Sequence, residues 1–130
     1  MKNTKKNYKS NSKKQKIEGV VKIYIISSFN NTIITACRPS GEPVATASGG
    51  SAGFKNTRES TPFAAQSAAD IICSKLKDFK VSDVVVIMKG MGAGRDSGLK
   101  TIANSFNVLE IHDATPIMHN GTRLKKRRRS

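Results

Sequence analysis

The sequence predicts a single α/β domain with its elements in the order βββαβαβ, built as a mixed sheet flanked by helices. Three features carry that prediction. Three β-branched, partly alternating runs stand close together between residues 18 and 48. A stretch of helical periodicity follows, from Thr61 to Phe79. A continuous apolar run, DVVVIM, then leads through a glycine cluster and a shorter helical pattern to a last short strand, the strand–helix–strand crossover of α/β proteins. A chain of 130 residues suits one domain.

Glu18 to Ser28 (EGVVKIYIISS) is rich in β-branched residues and reads as the first strand, broken by Phe29-Asn30-Asn31. Thr32 to Arg38 (TIITACR) alternates again. Pro39-Ser40-Gly41 supplies a tight turn, and Val44 to Ser48 completes an antiparallel meander. Residues 49–60, GGSAGFKNTRES, have three glycines and no periodicity, and read as a loop. Thr61 then offers a capping hydroxyl and Pro62 a pre-set first helical position. Ala65, Ala68, Ala69, Ile72, Leu76 and Phe79 share one face of that helix, and the small alanines let it lie close to a sheet. Asp83 to Met88 reads as a parallel strand covered on both faces. Leu99, Ile102, Ala103 and Phe106 mark a second helix, and Val108 to His112 the last strand.

The net charge of +14 is unevenly placed. Residues 1–16 hold seven lysines and no acid, and residues 122–130 hold six cations and no acid, whereas the body at 17–121 has ten cations against nine acids. The chain thus divides into a basic arm, a nearly neutral body and a basic tail. Blocks of like charge repel themselves and are expected to order only on a polyanion. Solubility alone is served better by acidic residues, so two cationic ends point to nucleic acid. A membrane is disfavoured, because neither end has an apolar face to insert and no apolar run approaches eighteen residues. No apolar stretch follows the first lysines, so a secretory signal is not expected. Cys37 and Cys73 form no C-x-x-C pair and are expected as reduced thiols in the core, with no zinc site.

Two glycine-bearing segments are candidate sites. KGMGAGRDSG, residues 89–98, follows the apolar run. It misses the dinucleotide pattern G-x-G-x-x-G by one residue and lacks the Gly-Lys-Ser/Thr ending of a phosphate loop, so a nucleotide-binding enzyme is disfavoured. Glycine backbone at a helix start, flanked by Lys89 and Arg95, suits one phosphate of a polynucleotide; it equally lets a strand turn tightly into a helix. In GFKNTRES, Lys55 and Arg58 reach phosphates, Asn56 and Thr57 suit sugar or base edges, and Phe54 is either a stacking surface or a plug anchoring the loop. His112 and His119 have no nucleophile placed beside them, and the acids are scattered singly, so catalysis and a small-molecule substrate are not expected. No cofactor is called for.

SSFNNTIIT at 27–35, GFKNTRESTPFAAQ at 53–66, KGMGAGR at 89–95 and DATPIMHNGTR with its basic extension at 113–129 together resemble the bacterial-type small-subunit ribosomal protein S-eleven family. The likeness runs in order from about Gly19 to Arg129. It implies a ribonuclease-H-like fold and a structural protein of the small-subunit platform that binds 16S-type ribosomal RNA beside the messenger exit and the exit-site tRNA. Neighbours would be the proteins of the S-six, S-eighteen and S-seven types, in a bacterium, a plastid or a mitochondrion. Carried onto matching positions, RNA contact would fall to Asn30, Asn31, Lys55, Asn56, Arg58, Lys89, Arg95, His119, Asn120, Gly121, Arg123, Lys125, Lys126, Arg127, Arg128 and Arg129. Met91 and Met118 stand where the family usually has prolines, Thr122 where it has a cysteine, Leu124 where it has paired prolines, and Glu59 where a basic residue is common. A histone-like protein that compacts nucleic acid is the alternative class; duplex DNA competing equally with folded RNA would favour it.

Overall fold

A computed structural model of the chain describes residues 16–129. The expected arm at 1–16 lies outside the described residues except for Lys16. The elements are β1 (Val21–Ser27), β2 (Thr32–Cys37), β3 (Pro43–Ser48), a short 3₁₀ turn (Asn56–Ser60), α1 (Pro62–Asp78), β4 (Asp83–Lys89), α2 (Gly94–Ser105) and β5 (Asn107–Asp113). This is the βββαβαβ order of the sequence reading, with strand and first-helix ends moved by at most three residues and the start of α2 moved further. The sheet runs β3-β2-β1-β4-β5, the first three strands antiparallel and β4 parallel to both β1 and β5. A meander joined to a parallel crossover is what the spacing of the strands and the apolar run of β4 predict.

Strand alternation sets the core. Val21, Ile23 and Ile25 on β1, Ile34 and Ala36 on β2, and Val84 and Val86 on β4 point to one face and are buried. Both helices lie on that face. α1 contributes Ala64, Ala65, Ala68, Ala69, Ile72 and Leu76, and α2 brings Gly98 over the Ile25 and Ile34 side chains. The expectation that β4 is covered on both faces is therefore corrected. Its outward residues Val85 and Ile87 remain half-exposed, because both crossovers pass on the same side of the sheet. Continuous apolar character marks burial on two faces only where helices occupy both.

Three smaller corrections follow from packing. Ala103 faces water, and Gly94, Gly98, Ile102 and Phe106 carry the buried side of α2 and its end. The second helix begins inside the glycine cluster, since Gly94 lies against Thr32 and Ala65 where no Cβ would fit. The loop at 49–60 closes with the 3₁₀ turn rather than remaining wholly irregular. The cap at Thr61 stands as expected, its Oγ1 accepting from the Ala64 N–H at 3.3 Å. Cys37 and Cys73 are buried free thiols, and burial pushes the Cys73 thiol up from its ordinary pKa.

The chain enters and leaves at opposite poles. Ile17 donates its N–H to the Phe79 carbonyl at the end of α1, below the start of β1. β5 ends alongside Met88 at the other pole, and from Ala114 onward the chain is irregular and, Thr115 apart, exposed.

Candidate nucleic-acid interface

Four segments meet at the pole where β1 and β4 end. They are the β1–β2 turn, the loop at 49–60, the glycine turn at 90–93 and the root of the tail. Their contacts are close. A Cβ on Gly49 would overlap the Glu59 carbonyl and come within 3.0 Å of the Asn31 Oδ1. A Cβ on Gly92 would overlap the Ser28 carbonyl, and one on Gly90 the Ser27 carbonyl. Small residues are required here because loop backbones pack against one another.

The β1–β2 turn is held by Ser28, whose Oγ accepts from the Asn30 and Asn31 N–H groups and whose own N–H donates to the Asn31 carbonyl at 2.9 Å. Asn31 turns inward, its Oδ1 accepting from the Thr32 N–H at 2.8 Å, while Asn30 and Phe29 face water. Beneath them Ser27 and Thr32 are buried with their hydroxyls 3.5 Å apart.

Lys55, Asn56, Thr57 and Arg58 are exposed and line an open hollow of about 530 Å³ together with Phe54. Asn56 has φ of 56°, a left-handed turn conformation that asparagine tolerates. Of the two readings for Phe54, burial in the core is not observed. Its ring is half-buried and meets Phe63 edge-on at 5.6 Å, which anchors the loop to the start of α1 on the surface.

The glycine turn differs from the sequence expectation in a way that matters for phosphate. Two of its N–H groups are engaged within the protein: Gly90 donates to Thr115 Oγ1 at 3.1 Å and Gly92 to the Ser27 carbonyl at 3.2 Å. The acid Asp96 occupies the first turn of α2, where its charge complements the helix dipole in place of an anion. Arg95 is drawn inward. It donates through Nη1 to the Gly90 carbonyl at 2.9 Å and through Nη2 to Asp113 Oδ2 at 2.8 Å. Asp113 Oδ1 in turn accepts from the Thr115 hydroxyl at 2.6 Å and from its N–H at 3.1 Å. These bonds to Arg95 and then Thr115 hold the Asp113 carboxyl down at about 2. Arg95, Asp113, Thr115 and Gly90 thus form a latch joining the glycine turn to the tail root. Lys89, at the end of β4 opposite Ile26, keeps its cation at the outward edge of the same pole.

His119, Asn120, Gly121, Arg123, Lys125, Lys126, Arg127, Arg128 and Arg129 are all exposed on irregular chain. Asn120 and Gly121 both have positive φ, so the chain turns there before the basic run. Among the sequence-predicted residues the fold brings together Asn30, Asn31, Lys55, Asn56, Arg58 and Lys89 at one pole, with Arg95 turned into the latch at the start of α2 and the remainder following on the tail. Sequence reasoning missed Phe29, Met91, Asp113 and Thr115. All four lay inside the quoted motifs; nothing in linear order joins position 95 to 113, or 90 to 115.

The arrangement presents cations, amides and an extended basic segment on one side of the scaffold. Such a surface binds a folded polyanion by shape and charge. Residues 19–129 match the family described as Ribosomal protein S11. Spanning nearly all of the chain, that match agrees with the fold and with the four motifs it joins at one pole. The chain belongs to the ribosomal protein S11 family and is a ribosomal-RNA-binding component of the small ribosomal subunit.

Proposed function

We propose that the protein is a non-catalytic scaffold of the small-subunit platform, beside the messenger exit and the exit-site tRNA, next to proteins of the S-six, S-eighteen and S-seven types. The observation carrying this reading is the convergence of the β1–β2 turn, the Lys55–Arg58 loop and the tail root at one pole of a nearly neutral body. Lys55, Arg58 and Lys89 meet phosphates, Asn30 and Asn56 meet sugar or base edges, and the tail from Arg123 to Arg129 threads between RNA helices. The arm at 1–16 adds a second cationic contact. Neutralising phosphates releases counterions, so affinity falls by roughly 0.7 to 0.9 log units per log unit of salt for each phosphate engaged.

The test compares the full chain with a variant lacking residues 122–130 for binding to small-subunit ribosomal RNA across a salt series. The truncated protein is expected to bind more weakly and with a shallower slope. An unchanged slope would refute the role of the tail. Cross-linking within assembled subunits from Lys55, Arg58 and the tail is expected to reach ribosomal RNA and the three neighbouring protein types.

A further inference from the structure

The pole that gathers the polar loops also carries an apolar groove of about 410 Å³, lined by Ile26, Phe29, Met91 and Pro116 along with small polar residues of the two turns. Phe29 is 80% exposed and Met91 76% exposed, so the core does not use either side chain. Their backbones are nevertheless fixed. The Ser28 bonds hold the β1–β2 turn, and the bonds from Gly90 to Thr115 and from Gly92 to Ser27 hold the glycine turn. A rigid apolar surface left open to water marks a contact site, and its prior order lowers the entropy cost of filling it.

We infer that this groove seats one unpaired base of ribosomal RNA, with Phe29 as the stacking surface and Met91 as the opposing apolar wall. The inference rests on the RNA-binding reading above and names the ligand chemistry of one part of that site. Size, charge and position favour a nucleotide. The volume falls within the range of small-ligand sites. Lys89 is the one charged residue lining the groove among the described residues, and the neighbouring Asp113 carboxylate is paired with Arg95, so the apolar seat has a cation at its rim. The groove is also continuous with the Asn30–Asn31 turn on one side and the tail root on the other. Aromatic stacking of splayed bases is the usual means of holding single-stranded RNA, and it tolerates any base.

The test uses the full chain and its Phe29→Ala, Phe29→Trp and Met91→Ala variants, each titrated with a small-subunit ribosomal RNA transcript across a salt series. Because Phe29 is exposed, each variant is expected to unfold thermally like the parent. Phe29→Ala is expected to lose affinity roughly tenfold or more with the salt slope unchanged, and Phe29→Trp to retain affinity. Met91→Ala is expected to lose less. Parental affinity in Phe29→Ala would overturn the base seat while the parent's salt-dependent binding kept the RNA-binding reading intact. Failure of the parent itself to bind would overturn both. If Phe29→Ala bound RNA normally but no longer entered reconstituted subunits, a neighbouring protein would be the occupant, and the base seat would again be overturned.

Discussion

At the scale of single residues, the latch and the glycines decide the site. Gly90 has φ of +92°, and a Cβ there would overlap the Ser27 carbonyl. Gly90→Ala is therefore expected to lose about 2–3 kcal/mol of stability, read from denaturant unfolding. The Asp113 carboxylate makes its own prediction. Its folded pKa is lowered to about 2 by Arg95 and Thr115, against an ordinary value of 3.8, so its stabilising contribution is complete above roughly pH 4 and is lost as pH falls towards 2. Protection of the Gly90 and Thr115 amides, measured as exchange relative to the intrinsic rate at each pH, is expected to hold down to about pH 4 and to fall below it, and Asp113→Asn should show the low protection at every pH. None of this was legible from residue order. A lone Arg near a lone Asp eighteen positions later carries no signal until the crossover brings β5 beside β4, so Arg95 reads in sequence as a spare cation when its guanidinium is already occupied.

Among the elements, α1 was the most legible, because its cap, its proline and its apolar spacing all agree. Thr61→Ala is expected to cost about 1 kcal/mol through loss of the bond to the Ala64 N–H. The alanine stripe has a second consequence. Ala65 meets the Gly94 position, where α2 begins, so Ala65→Leu is expected to destabilise by about 1–3 kcal/mol through overpacking and to lower the melting temperature. The strands were legible in existence and order through their β-branched residues. Which faces were covered was not, because that depends on the side taken by each crossover. The apolar run of β4 reads identically whether one helix layer or two surround it. The start of α2 was also hidden, since glycine is a poor helix former in isolation and is placed here by close contact with Thr32 and Ala65.

For the whole molecule, composition exposed the division of labour that the fold then organises: a body close to neutral, with cations concentrated at its ends. What composition lacked was direction. The first described residues join the body beside Phe79, whereas the tail departs beside Met88 and Gly90. Seven residues of β1 separate these poles, about 20 Å of extended chain. Sites so far apart act independently, so removing the arm, the tail or both should change binding free energy additively within about 0.5 kcal/mol. Non-additivity well beyond that would mean that both ends meet the same RNA helix. If arm and tail each hold RNA, as proposed, a protein gripped from two poles works as a strut: it would set the spacing between two separate stretches of RNA, and its stiffness, more than its affinity, would fix how far apart they stand.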